Sequence, residues 1–117
     1  MKSRLKPDHR ALAESLRMRT LEGPGETEPA LRKAVAACAA GEDGPGDATG
    51  QSPYYALARQ IGEAAFRTTD AQVAEVVEAT GSEKGGFEII LTAAVGAGLV
   101  RWQCGLRAVE GATDASA

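Results

Sequence analysis

The sequence predicts an all-α protein, and three observations support this prediction. The strong helix formers Ala, Leu, Glu and Arg are abundant in the 117 residues, which favours helices. Val and Ile are sparse outside two short clusters, and no stretch alternates apolar and polar residues as a half-buried strand does. The length and the 44% hydrophobic content suit one domain, so we expect about five helices in a compact single bundle.

Charge is distributed unevenly along the chain. The formal net charge is -3, but residues 1–21 carry six Lys or Arg against two acids, so this segment is strongly basic. A basic helix over residues 1–22 is expected to dock on the acidic remainder of the chain or on a second copy. Because no aromatic residues are interleaved with these charges, no nucleic-acid partner is predicted.

The sequence favours a soluble protein of the cytoplasm. No apolar run follows the basic N-terminus, and the longest uncharged apolar stretch, residues 89–100, is too short to span a bilayer, so no membrane partner is predicted. The two cysteines, Cys38 and Cys104, are separated by 65 intervening residues, and in such a chain they are expected to be reduced thiols. We therefore expect a cytoplasmic location.

The first helix is predicted to begin after Asp8, a favoured N-cap, and to run to about Leu21. Its apolar stripe is formed by Leu5, His9, Leu12 and Leu16. His9 is expected to be a packed core or interface residue, and no metal site is predicted because this is the one histidine and no acids or thiols cluster with it. Thr27 is predicted to cap a second helix, whose apolar face is formed by Leu31, Ala34, Val35 and Cys38.

A loop is predicted at residues 41–51, GEDGPGDATGQ. This stretch holds four Gly, one Pro and three acids, a composition typical of a flexible connector or mobile lid. It lacks the Lys and its Ser/Thr partner that a phosphate-binding loop needs. No phosphate site is therefore predicted.

Two further helices follow the loop. Ser52 and the proline after it predict the start of a third helix, which runs to about Phe66. A cap at Thr69 then begins a short fourth helix, and Gly81 ends it with the left-handed residue that helix ends prefer. The apolar face of the fourth helix is formed by Val73, Val76, Val77 and Thr80.

The last helix, beginning at Ser82, is predicted to be the longest. Its main apolar stripe is Phe87, Leu91, Val95, Gly98, Trp102, Leu106 and Val109. Other apolar residues surround its middle, which indicates a buried central helix or an oligomer interface. The small residues of AAVGAG, residues 93–98, are expected to let backbones touch, since each Gly costs a helix about 1 kcal/mol that close packing must offset. Residues 111–117 are expected to be a disordered tail.

The stretch TTDAQVAEVVEATGSEKGGFEI, residues 68–89, with the small-residue helix that follows, resembles the alkylhydroperoxidase D-like, or carboxymuconolactone decarboxylase-like, family. The resemblance covers roughly residues 53–110. It implies an all-helical domain over 27–110 and assembly into a homo-oligomer, a trimer or hexamer. Redox members carry a Cys-x-x-Cys-x-x-x-His motif, and the positions matching its cysteines and histidine hold Ala65, Thr68 and Gln72. These side chains cannot supply a thiolate paired with imidazole, so the resemblance implies a scaffold without the redox site.

Three functions remain open, and none of them requires a cofactor. The first is an oligomeric binding or assembly module, with room for a small apolar ligand between the third and last helices. The second is a thiol-dependent hydroperoxide reductase that uses Cys104 or Cys38. Cys104 lies one turn after the cationic Arg101, whereas the apolar stripe around Cys38 favours an inert buried thiol. The third is a decarboxylase or isomerase with Glu63 or Glu88 as a general base whose pKa is raised by burial.

Overall fold

The computed structural model describes residues 8–42 and 52–116. The described chain forms five helices: α1 His9–Glu22, α2 Pro29–Ala39, α3 Pro53–Ala64, α4 Asp70–Thr80 and α5 Glu83–Ser116. A 3-10 turn, Ala65–Arg67, continues α3. The predicted fold class and the number of helices are confirmed. Leu5 and most of the predicted loop, residues 43–51, lie outside the described residues.

Local capping explains where several helices begin and end. The Asp8 carboxylate accepts hydrogen bonds from the backbone N–H groups of Arg10 and Ala11, both at 3.1 Å, as predicted for the start of α1. At α4, Thr69 and Gln72 form a capping box, in which each side chain accepts from the other's backbone N–H. Gly81 closes α4 with a φ of 86°, in the left-handed region.

The predicted cap of α2 is wrong by one residue. The helix begins at Pro29, with Glu28 at the N-cap position and no side-chain cap hydrogen bond. Thr27 does not cap the helix because its hydroxyl donates to the carboxylate of Glu88, 61 residues later in the chain. A tertiary contact therefore replaces the local one.

The core follows one side of α5. Ile89, Ala93 and Ala97, spaced four residues apart, present the buried side of this helix to α2, α3 and α4. The neighbouring helices supply the remaining buried residues of the core: Val35, Cys38, Ala39, Tyr55, Leu57, Ala58 and Val76. The expectation of a central helix buried all round is therefore wrong, and its alternative, an oligomer interface, stays a prediction.

Backbones approach closely where α2 meets its neighbours. A Cβ atom on Gly96 of α5 would lie 2.5 Å from the carbonyl oxygen of Ala36, and a Cβ atom on Gly62 of α3 would overlap the carbonyl oxygen of Ala39. The prediction that AAVGAG brings backbones together is confirmed at Gly96. At Gly98 no backbone of the same chain approaches, because a Cβ atom there would meet nothing within 4 Å.

α1 docks on the rest of the molecule, as predicted, and in the described part of the chain one of its two ion pairs with other helices uses a basic residue of α1. The Arg10 guanidinium pairs with the Glu110 carboxylate, and Lys33 Nζ lies 3.7 Å from Glu22 Oε1. The predicted stripe is not the face that docks: His9 is exposed, so it is not a packed core residue, and its alternative role as an interface residue stays a prediction. Leu12 and Leu16 are likewise exposed, and Leu21 is the buried residue of α1.

α5 is 34 residues long, and the longest dimension of the described molecule is 51 Å. The helix continues to Ser116, where the sequence predicts a disordered tail, since no Pro interrupts its C-terminal residues. Residues 83–112 are long and apolar enough to cross a membrane by length and composition alone. One such helix is weak evidence for a membrane span, and the cytoplasmic location stays a prediction.

Candidate functional site

The two thiols lie in different environments. Cys38 is buried on α2, with its Sγ atom 3.7 Å from the carbonyl oxygen of Tyr55 and 4.0 Å from Nη2 of Arg59. Cys104 is exposed on α5, and both cysteines are free. Arg101, the cation expected to activate Cys104, donates a hydrogen bond to the carbonyl oxygen of Gly62. The burial predicted for Cys38 is confirmed, and no disulfide joins it to Cys104.

The positions predicted to match the redox motif lie in the connection between α3 and α4 and in the first turn of α4. Ala65 is exposed in the 3-10 turn, and Thr68 is half-buried just after it. Gln72 has a local structural role, since its side-chain oxygen accepts the backbone N–H of Thr69 in the capping box, at 3.0 Å. These positions therefore support the connection between two helices.

Of the two glutamates proposed as a general base, Glu63 is exposed on α3 and Glu88 is held by the loop between α1 and α2. Glu88 accepts hydrogen bonds from the backbone N–H groups of Glu26 and Thr27, at 2.8 and 2.9 Å, and from the Thr27 hydroxyl at 2.7 Å. Gly25 makes this approach possible, because a Cβ atom there would lie 2.8 Å from both carboxylate oxygens. The carboxylate is therefore a structural anchor for the loop.

The pKa of Glu88 is lowered from its ordinary value of 4.5, contrary to the expected increase. Desolvation by burial raises this pKa, but it is outweighed by the hydrogen bonds from Glu26 and Thr27 and by the positive charge of Arg32. A carboxylate with a lowered pKa and three hydrogen-bond donors is a weak base. The decarboxylase hypothesis needs a carboxylate with a raised pKa, and the hydrogen bonds to Glu88 lower its pKa instead.

Arg32 holds the same loop from the other side. Its guanidinium donates to the carbonyl oxygens of Thr20 and Gly23, both at 2.8 Å, and of Thr27, at 3.2 Å. Thr20 would accept from residue 24 if α1 continued, but Pro24 has no N–H to donate. We refer to Glu88, Thr27 and Arg32 with their loop as the α1–α2 clasp. It joins α1, α2 and α5.

Glu88→Gln is expected to lower the free energy of unfolding at neutral pH by about 1 to 3 kcal/mol, because hydrogen bonds to a charged acceptor are lost. Since the folded-state pKa is lowered, the wild-type carboxylate stabilises the protein above its ordinary pKa of 4.5. That stabilisation is lost as the pH falls through the folded-state value. Urea unfolding from neutral to acid pH should therefore show a smaller acid-side loss in Glu88→Gln.

Glu63→Gln is the matched control for this pH series, because Glu63 is an exposed helix residue. Its unfolding free energy should stay within about 0.5 kcal/mol of the wild type. Equal acid sensitivity of the wild type and Glu88→Gln would show that the clasp carboxylate does not contribute to the pH dependence.

The most prominent feature of the surface is an apolar strip along α5. Its residues recur at steps of four and three, so they share one side of the helix, and all are exposed: Phe87, Leu91, Ala94, Gly98, Trp102 and Gly105. Phe87 exposes 62% of its surface. We call this strip the α5 outer face. Large exposed apolar strips mark interaction sites on soluble proteins.

The α5 outer face carries no charge along its central part. Between residues 85 and 100 the single ionisable residue is Glu88, and its carboxylate is bound in the clasp. Arg101 reaches towards α3, where it bonds to Gly62. The face therefore offers two large side chains, Leu91 and Trp102, on either side of small residues.

Two grooves run beside α1. One, of about 300 Å³, lies between α1 and the C-terminal half of α5, and Trp102 and Leu106 line it together with Arg10 and Arg17. The other, of about 320 Å³, lies where α1, α2 and α5 meet. No α3 residue lines either groove, so neither coincides with the ligand space expected between α3 and α5.

The sequence matches no protein-family model, and no curated protein or solved structure matches it. The fold and the site are therefore the observations on which a function rests. The resemblance to the alkylhydroperoxidase D-like family stays a prediction.

Proposed function

We propose that this protein is a non-redox helical module that acts by self-association, with the α5 outer face as its contact surface. The observation that supports this best is the exposure of Phe87, Leu91 and Trp102 on one side of a core helix. Burying a large apolar side chain contributes about 1.5 to 3 kcal/mol relative to leaving it in water. A second protein surface would provide that burial.

The enzymatic alternatives receive less support from the geometry. Cys38 is buried in the core, and Cys104 is exposed beside a cation that bonds elsewhere. Glu88 has a lowered pKa and is bound in the clasp. Catalysis by one of these thiols or by this carboxylate requires that the side chain line a pocket in which a substrate can reach it.

Trp102→Glu tests this proposal. Placing a charge in the centre of the contact should convert the oligomer into monomers, because Trp is a typical dominant residue of interfaces and an unpaired charge there is costly. Sedimentation velocity measures the change in mass. We expect the variant to keep its helical circular dichroism.

Phe66→Ser is the matched control. Phe66, at 89%, is more exposed than Phe87, Leu91 or Trp102, but it lies in the 3-10 turn. Its loss should leave the oligomer intact. If the wild type is a monomer that consumes hydroperoxide with a dithiol reductant, and Cys104→Ser or Cys38→Ser abolishes this activity, the proposal is wrong and the reductase hypothesis is right.

A further inference from the structure

The α5 outer face is complementary to itself under a two-fold rotation. In a pair of antiparallel α5 helices centred on Gly98, residues equally far on either side of the centre face each other. Trp102 of one copy then lies over Ala94 of the other, and Leu91 lies over Gly105, so each of these two large side chains meets a small one. At both ends of the contact Phe87 lies over Val109, which pairs two exposed apolar side chains. Gly98 lies opposite Gly98, where nothing in the chain occupies the space within 4 Å of a Cβ atom.

We propose that a second copy of this chain covers the α5 outer face in this antiparallel arrangement. This inference rests on the proposed function and adds the partner's orientation and the crossing point. A two-fold contact uses the same patch on both copies, which is what a self-complementary surface provides. Small residues at the crossing let the helices approach closely, and the large ones fill the gaps on either side.

A parallel pair fits the same face poorly. It would place Trp102 against Trp102 and Gly98 against Gly98, so large side chains would hold the helices apart where small ones leave gaps. It would also bring Arg101 against Arg101 and Lys84 against Lys84, which are unfavourable like-charge contacts. In the antiparallel pair, the two Lys84 residues lie about 42 Å apart along the helix axis.

Apolar partners of other kinds are less well matched. A lipid surface has no fixed shape, so its binding does not require large and small residues at complementary positions. The strip from Phe87 to Gly105 is about 27 Å long and about 10 Å wide. This is an area of about 270 Å² on each copy, below the roughly 800 Å² per partner of a standard interface, so we expect a weak dimer whose population depends on protein concentration.

Gly98→Leu separates these possibilities. Leu should enter open space in the single chain and favour the helix, so the monomer should be at least as stable as the wild type. It should nevertheless abolish the dimer, because two bulky side chains would meet at the crossing point. If the α5 outer face is a generic apolar contact, Gly98→Leu should self-associate at least as well as the wild type. If it is a lipid-binding surface, the wild type should bind phosphatidylcholine vesicles and Gly98→Leu should bind them at least as well. Either result would overturn the proposal.

Disulfide trapping tests the orientation. In a Cys104→Ser background, Gly98→Cys should give a covalent dimer in mild oxidant, since the two Cα atoms can come within disulfide range of about 4.4 to 6.8 Å. Lys84→Cys in the same background should not. The antiparallel pair would be refuted if the wild type is oligomeric by mass but the covalent dimer forms with Lys84→Cys, or with neither variant. Self-association itself would not be refuted by that result. A wild type that is monomeric at every concentration would refute both.

Discussion

Arg32→Ala is expected to lower the free energy of unfolding by about 3 to 5 kcal/mol. Arg32 exposes 4% of its surface and supplies hydrogen bonds to three backbone carbonyl oxygens of the α1–α2 clasp. Hydrogen bonds with a charged partner contribute about 1.5 to 3 kcal/mol each, and their contributions overlap. The variant also loses the cation at the C-terminal end of α1, where the helix dipole favours positive charge.

Lys33→Ala is the control for this prediction. Lys33 is the next residue on α2, and its ion pair with Glu22 spans 3.7 Å between exposed side chains. Such pairs contribute less than about 1 kcal/mol. Urea unfolding followed by circular dichroism should show a large shift for Arg32→Ala and a small one for Lys33→Ala. Equal shifts would mean that the clasp does not stabilise the fold.

Gly62→Ala and Gly96→Ala are each expected to lower the free energy of unfolding by about 1 to 3 kcal/mol. The added methyl group would collide with the backbone of α2, at Ala39 in the first case and Ala36 in the second. Backbone atoms cannot rotate away as a flexible side chain can, so the helices would have to separate. That cost should exceed the gain of about 1 kcal/mol that Ala brings to a helix.

Gly98→Ala is the matched control, two residues from Gly96 on the same helix. Its Cβ atom would meet nothing within 4 Å, so the monomer should gain up to about 1 kcal/mol. The unfolding free energies should be measured at low protein concentration, where self-association does not contribute. A loss in Gly98→Ala equal to that in Gly96→Ala would contradict the close approach of α2 and α5.

Helix boundaries were largely predictable because they depend on neighbouring residues. Asp8, Thr69 and Gly81 act within four residues of their own positions, and each has its predicted role. The face that a helix buries depends on residues far along the chain. α5 is apolar nearly all round in its middle, so periodicity alone did not show that the side with Ile89 faces the core while Phe87 faces outwards.

The candidate site was predictable only in part. The helix stripe that contains Trp102 and the interpretation of α5 as an oligomer interface came from the sequence, but Leu12 and Leu16 formed an equally regular stripe on α1. The clasp was missed, because its members come from three helices and a loop. One signal was present: a Pro after α1 leaves a carbonyl group without a donor, and a buried Arg four residues into α2 supplies one.

Sedimentation equilibrium of the wild-type protein across a wide range of concentrations tests the central claim, self-association through the α5 outer face, most directly. The claim predicts a mass that rises from one chain of 12.1 kDa towards twice that value, with Trp102→Glu staying at one chain throughout. A wild type that remains monomeric at the highest concentrations would contradict it.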